Sequence, residues 1–326
     1  MLVSVIIPNY NHAKYLKKRI DTVLNQTYKN FEILILDDCS VDNSRNIIEE
    51  YRNQEKVSEI IFNETNSGST FKQWNKGIRL AKGELIWIAE SDDFAEPDLL
   101  QNLQSEFVAD PELGIAYCQS NMVNDKDEVT GSWQSWTDDL SSELFKTRFK
   151  YVGKDYIKDY LIYKNTIPNA SAVLFQKKYY EKIGEADETV LKCSDWLTWI
   201  KLLTISNVVY VPQHLNNFRF HDESVIARVK KTADQEYIGT YVMFMRITLH
   251  HLLKTKFSDS KNFKIIIKKN LRIIVKLYIL QGLFYIEKNN WMKGVSIIIK
   301  TTFGSVRNFV FTSELIINKM FKTKAF

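Results

Sequence analysis

Three carboxylates stand almost side by side at Glu90, Asp92 and Asp93, and no basic residue separates them. Such crowded anions repel one another, and a hard divalent cation is their usual partner. A cation held there would attract phosphate in turn. The same three acids would also suit a solvated turn, so by themselves they do not decide. Two more carboxylates are adjacent at Asp37-Asp38, and a single one, Asp195, precedes Trp196 far downstream. Arg219 and His221 follow in the run Arg219-Phe-His-Asp-Glu-Ser224.

The elements around these residues favour a site. Val3–Ile7, Phe31–Leu36, Val57–Phe62 and Leu85–Ala89 are near-continuous apolar runs of the kind found in strands buried on both faces. Helical spacing marks Ala13–Leu24, a segment from Ser40 to about Arg52 with Ser40 as N-cap and Asp42 in its first turn, and a segment from Phe71 to Ala81. Strand–helix units in succession with short connections specify a parallel α/β sheet with right-handed crossovers. Ligands of such sheets bind at the carboxyl ends of the strands. Those ends here carry Pro8-Asn-Tyr-Asn11, Asp37-Asp38, Asn66-Ser-Gly68 and Glu90-Ser-Asp-Asp93. The solvated-turn reading loses ground accordingly.

Further along, the spacing indicates a strand at Ile115–Cys118, a polar loop from Asp125 to Asp139, and a strand from Ala172 to Phe175 followed by a helix from Lys177 to near Gly184. A helix then has Asp195 near its start, and strands run at Val208–Val211 and Leu215–Phe220. A carboxylate near a helix N-terminus is favoured as the anion by the helix dipole. Ser194 or Asp195 could equally be a plain helix cap there.

In register and in order, Val3-Ser-Val-Ile-Ile-Pro-Asn-Tyr-Asn11, the Gln26 to Ile33 stretch, Leu36-Asp-Asp-Cys-Ser40, Asn66-Ser-Gly68 and Ala89-Glu-Ser-Asp-Asp93 with Pro97 resemble the inverting family 2 glycosyltransferases. The resemblance implies a GT-A fold, an α/β Rossmann-like and mainly parallel sheet flanked by helices. It implies a nucleotide-sugar donor, a UDP-sugar foremost, and Mn²⁺ or Mg²⁺ as cofactor. Residues 1–110 would be the nucleotide-sugar-binding half and 111–226 the acceptor-binding, catalytic half. Pro8, Tyr10, Asp37 and Asp38 would line the base and ribose, with Gly68 and Lys72 beside the nucleotide. Asp92 would serve ribose and metal, with Asp93, Glu90 and His221 as the other metal contacts. Glu90 stands where the family's aspartate is usual. Gln73-Trp74-Asn75 replaces the family's frequent Ala-Arg-Asn, a lost cation for which Lys72 or Lys76 could substitute. Arg219 and His221 resemble a loop closing over the diphosphate.

Sugar transfer builds negative charge on the departing diphosphate, which a carboxylate-held cation stabilises. The acceptor hydroxyl needs a general base, typically contributing ~10²–10⁴-fold. Asp195-Trp196 resembles the family's base motif, with Ser194 in place of its first acid, and Asp195 is assigned that role.

Charge is unevenly spread. The chain holds 44 Lys+Arg and 39 Asp+Glu, yet residues 227–326 hold 19 against 5, which leaves 25 against 34 for the body. Ile265–Ile286, Trp291–Lys300 and Phe303–Lys322 read as basic amphipathic helices, with too many charges for a membrane span. Such helices suit peripheral contact with an anionic membrane, a bundle, or a homodimer. No nucleic-acid motif accompanies them, so nucleic acid is set aside as a partner. Three scattered cysteines fit a reducing cytoplasm, and the Met1–Pro8 segment reads as a core strand instead of a leader. The expected acceptor is a saccharide or lipid-linked saccharide, assembled in the cytoplasm or on the inner face of the cell membrane. A nucleotidyltransferase of similar layout is the alternative; it would carry a glycine-rich loop after the first strand, where Pro8-Asn-Tyr-Asn11 stands.

Overall fold

The computed structural model describes residues 1–190, 192–221, 239–257 and 261–303. They belong to two compact units, Met1–Asp222 and Glu223–Phe326.

In the first unit, β1 (Val3–Asn9), β2 (Phe31–Asp37) and β3 (Val57–Phe62) alternate with α1 (Ala13–Leu24), α2 (Ser44–Glu50) and α3 (Thr70–Leu80), leading to β4 (Leu85–Ile88). β1 pairs in parallel with β2 and β4, and β2 with β3. All residues of β1, β2 and β4 are buried, as apolar runs with helices on both faces require. Each fully buried Val, Leu or Ile contributes about 1.5–3 kcal/mol. Gly77 lets α3 lie hard against the sheet, since a Cβ there would stand 2.6 Å from Ile6 Cγ2.

The chain continues through β5 (Phe94–Ala95), α4 (Leu99–Ala109), β6 (Leu113–Val123), β7 (Val129–Ser132), β8 (Phe149–Val152), α5 (Gly153–Tyr156), β9 (Val173–Gln176), α6 (Lys177–Lys182), α7 (Ser194–Leu203) and β10 (Asn207–Arg219). The sheet order is β3-β2-β1-β4-β9-β6-β10-β5, with β7 on β6 and β8 on β10. β9 runs antiparallel to both β4 and β6, so the sheet is mixed beyond its parallel half.

Several boundaries differ from the sequence reading. Ser40 does not cap a helix; its hydroxyl donates to Asp37 Oδ1, and α2 begins at Ser44. Asp42 instead accepts the Ser44 and Ala13 amides, joining the α2 and α1 starts. The polar stretch after Asp125 is not a plain loop, for it pairs as β7 and then coils as a 3₁₀ turn from Trp133 to Thr137. The two strands expected around Val208 and Leu215 are one strand, β10, bent by register shifts near Val211 and His214. Neither Ser194 nor Asp195 caps α7: Cys193 holds the N-cap position at φ 63°, and Ser194 Oγ donates to Asp187 O.

The second unit contains α8 (Gly239–Phe257), α9 (Lys261–Glu287) and α10 (Trp291–Phe303). Gly282 and Gly294 face each other where α9 and α10 cross, each leaving no room for a Cβ on the other. Arg246 is buried against Asn270, joining α8 to α9. Among the described residues no helix is long and apolar enough to cross a membrane. The expected helix Phe303–Lys322 lies, beyond its first residue, outside the described residues.

Candidate active site

The acids of the sequence reading gather at the carboxyl edge of the parallel half. β4 ends at Ile88, and the turn that follows carries Glu90, Ser91, Asp92 and Asp93. Each acid has a different partner. Glu90 Oε1 accepts Trp74 Nε1 at 2.9 Å. Asp93 Oδ1 accepts the Arg219 amide at 3.0 Å. Asp92 Oδ2 stands 3.1 Å from His221 Nε2. Their ionisation differs accordingly. Burial and then the charge of Asp92 push Glu90 up to about 8, against the pull of the Trp74 bond. Burial and Asp92 also raise Asp93. Burial acts on Asp92 in the same sense, but the His221 hydrogen bond and the charges of His12 and His221 prevail and hold it below the usual carboxylate range. One lasting anion and two acids that burial favours as neutral result.

A cation that sequence reasoning missed lies behind this turn. Arg19, fully buried on the inner face of α1, donates from Nε to Glu90 O at 2.8 Å, and its two terminal nitrogens have no partner among the described residues. Burial lowers it to about 10, while Asp93, Asp92 and Glu90 support its charge. Its signal was an arginine at the spacing of Leu16, Ile20 and Val23, where an apolar residue belongs.

Asp92 and His221 are joined by a third residue that the sequence reading passed over. His12, Asp92 and His221 each bring one ligand atom within 4.8 Å of the others. Two ligands of one six-coordinate ion, each about 2.1 Å from it, stand about 3 Å apart. The Asp92–His221 separation of 3.1 Å fits that requirement. Glu90 and Asp93, both expected as metal contacts, fall outside the group among the described residues. Arg219, expected on phosphate, is turned elsewhere. Nε and Nη1 donate to Asp92 O and Asn124 O, and Nη2 pairs with Asp127 at 2.5 Å. It fastens the end of β10 to the acidic turn.

The base-and-ribose side is equally ordered. Asp37 accepts Asn9 Nδ2, Ser40 Oγ and Ser40 N, and so shapes the loop beside Pro8. Tyr10 is 38% exposed, available to a planar ligand. Asp38 Oδ1 accepts Asn63 Nδ2, Ser67 N and Gln73 Nε2, and its Oδ2 accepts Ser67 Oγ. Gln73 therefore tightens the Asp38 pocket, while Trp74, at the position of the missing arginine, donates to Glu90 instead. Lys72 Nζ turns back to Ser67 O, and Lys76 Nζ to Asn63 Oδ1. Gly68 sits at φ +74°, which a larger residue would resist.

Asp195 is the second residue of α7, and burial raises it to about 6, offset in part by the Trp196 amide and Asn165. Asn165 Nδ2 donates to Asp195 Oδ2 at 3.0 Å, while Asn165 O accepts Trp136 Nε1 at 2.7 Å. Trp199, one turn below Asp195, packs on Trp74 at 6.0 Å between ring centroids. Asp195 and the acidic turn are thus connected through α3 and α7. The loop from Asn165 reaches the turn again at Ser171, whose Oγ accepts Glu90 N. Between them Asn169, 3% exposed, and the Trp133 indole line one hollow; both amide atoms of Asn169 and Trp133 Nε1 are without partners among the described residues.

Comparison with known proteins bears on the family and the fold. The sequence profile described as "Glycosyl transferase family 2" matches residues 4–184. A putative teichuronic acid biosynthesis glycosyltransferase of Bacillus subtilis, TuaG, is 25% identical over 273 residues, covering 83% of this chain and 98% of its own. Among solved structures, S. aureus TarS 1–349 in complex with UDP-GlcNAc superposes with TM-score 0.59 at 16% identity, covering 94% of this chain and 93% of that one. The mannosyltransferase PcManGT from Pyrobaculum calidifontis, in complex with GDP-Man and Mn²⁺, gives TM-score 0.58 at 15% identity, covering 98% and 80%. At such identities the two structures bear on the fold.

Proposed function

As the chain belongs to glycosyl transferase family 2 and is a glycosyltransferase, we propose that it moves a sugar from a nucleoside-diphosphate donor, a UDP-sugar foremost, to a saccharide acceptor with inversion. The observation that carries this reading is the Asp92–His221 pair, 3.1 Å apart at the carboxyl edge of the sheet. Asp92 and His221 would hold a divalent cation, Mn²⁺ or Mg²⁺. When bound, that cation stabilises the charge developing on the diphosphate. The Mn²⁺ in the GDP-Man complex of PcManGT supports a cation in this fold.

The chain's own groups do the remaining work. Pro8 and Tyr10 flank the base, Asp37 and Asp38 shape its pocket, and Gly68 and Lys72 border the nucleotide. Asp195 takes the proton of the attacking acceptor hydroxyl as that oxygen bonds to the anomeric carbon and the carbon–phosphate oxygen bond breaks. Its elevated pKa suits a base working near neutrality. Trp136, 39% exposed, is tied to Asp195 through Asn165 and offers aromatic surface to an acceptor. The likeness to TuaG, named as a putative teichuronic acid biosynthesis glycosyltransferase, supports a place in glycan assembly.

In the helical unit, Trp291, Met292, Val295 and Ile299 are exposed on α10 beside Lys293 and Lys300. That pattern supports peripheral contact with an anionic membrane; pairing of two copies through the same face is the competing outcome.

A screen of UDP-, GDP- and dTDP-sugars with Mn²⁺, reading nucleoside diphosphate release, tests the proposal. Release from one donor class, abolished by EDTA, is expected. No release from any donor would count against it.

A further inference from the structure

We infer that His12 is a third protein ligand of the cation, so that the centre presents two imidazoles and one carboxylate and favours Mn²⁺ over Mg²⁺ and Ca²⁺. This rests on the reading of Asp92 and His221 as metal ligands.

The three side chains come from three separate places in the fold. His12 precedes α1, Asp92 follows β4 and His221 follows β10. Nothing in the local pairing of these elements requires two imidazoles to meet at a carboxylate. They meet nonetheless, with the rings of His12 and His221 edge to face at 5.5 Å and all three ligand atoms within 4.8 Å of one another. The backbone of His12 is pinned, because its carbonyl accepts the amides of Tyr15 and Leu16. Its ring is oriented by Ser91, whose hydroxyl lies 2.9 Å from Nδ1 and is itself buried.

A metal-bound imidazole characteristically uses its second nitrogen in such an outer hydrogen bond, which fixes the tautomer and the ring plane. The inference assigns Nδ1 to Ser91 and Nε2 to the ion. Ser91 thereby has a purpose within the acidic turn: it orients a ligand that arrives from the start of α1.

The donor set decides the ion. Mg²⁺ and Ca²⁺ favour carboxylate, carbonyl and water oxygens, and Mg²⁺ surrenders water reluctantly. Imidazole nitrogens suit transition metals better than Mg²⁺ or Ca²⁺, and two His and one carboxylate leave half of a six-coordinate shell open. Two diphosphate oxygens and a water could fill that half. Among transition ions, Mn²⁺ is the one that also favours carboxylate and water oxygens, the remaining donors here.

The test uses the full chain and Mn²⁺ alone, then Mn²⁺ with UDP or GDP. Loss of the free-Mn²⁺ EPR signal gives affinity, and pulsed EPR counts nitrogen nuclei coupled to the bound ion. Two coupled nitrogens are expected in the wild type, one in His12→Gln and one in His221→Gln. Mn²⁺ affinity should fall about tenfold or more in His12→Gln, with a much smaller change in Mg²⁺ competition. A single coupled nitrogen in the wild type, or unchanged affinity and nitrogen count in His12→Gln, overturns the role of His12. The wild-type nitrogen count decides the matter even where a variant folds poorly. Asp92→Asn separates the two levels: undiminished Mn²⁺ binding by it, or none by the wild type with nucleotide present, removes the underlying metal reading instead.

Discussion

Trp74 Nε1 donates a 2.9 Å hydrogen bond to Glu90 Oε1, and through it helix α3 holds the acidic turn at the end of β4. The neighbours of Trp74 extend the grip. Gln73 reaches Asp38, and Asn75 donates to Ala186 O and Glu188 ahead of α7. One stretch of α3 therefore ties the base pocket, the acidic turn and the approach to Asp195 together. With the donor removed in Trp74→Phe, Glu90 loses a buried partner, and a cost of about 1–3 kcal/mol in unfolding free energy is expected. Urea denaturation of the two proteins measures it.

Glu90 also makes the metal-free protein sensitive to alkali. Its folded pKa is raised from 4.5 to about 8, so the folded state binds more protons than the unfolded one across that range. The associated stability is fully present below pH 4.5 and is lost as pH rises through about 8. Asp93 is shifted in the same direction. In EDTA, the melting temperature should fall between pH 5 and pH 8, and Glu90→Gln should flatten part of that slope while retaining the Trp74 contact. An identical slope in Glu90→Gln would show that Glu90 is ionised in the folded state.

Gln73→Ala should loosen the pocket around Asp38, which would lose the Gln73 Nε2 bond while keeping Asn63 and Ser67. A hydrogen bond to a charged group contributes about 1.5–3 kcal/mol, so nucleoside diphosphate affinity should drop roughly tenfold or more. Calorimetric titration with UDP and GDP reads this directly. A Gln73→Arg variant, by contrast, adds a cation beside Asp38 and should keep the pocket closed.

Full-length protein should sediment with anionic vesicles and less with neutral ones, since each basic residue near such a surface contributes ~1 kcal/mol. Replacing Trp291 and Met292, exposed by 61% and 88%, with Ser should weaken sedimentation several-fold. Equal sedimentation of both proteins, together with a shift from dimer to monomer on substitution, would assign α10 to pairing of copies.

The parallel half was legible because its strands are unbroken apolar runs ending in polar clusters, and the period of the pattern suffices for that. That Asp38 and Asp92 follow strand ends and Asp195 opens a helix was legible, because such acids are conspicuous in one dimension. What the chain brings together from afar was harder to see. His12 sits in a turn with no acid nearby in sequence, and only the return of β10 sets His221 beside it. Arg19 reads as one more basic residue in a Lys-rich helix until its face is known to be buried. Arg219 was expected on phosphate for the opposite reason, since its sequence neighbourhood does not tell that Asp92 O, Asn124 O and Asp127 surround it. The bends in β10 arise from pairing with β6, β8 and β5, none of which its own residues announce.

The central claim is that Asp92 holds the cation while Asp195 removes the proton, and donor turnover in Asp195→Asn tests it most directly. In Mn²⁺, wild-type kcat/KM should fall as pH drops below about 6, because burial raises Asp195 to about 6 and the base must be ionised. Asp195→Asn should lose ~10²–10⁴-fold in kcat and show no such limb, while binding Mn²⁺ and nucleoside diphosphate as the wild type does. Asp195→Asn turning over at the wild-type rate, with the acid limb intact, would contradict the account.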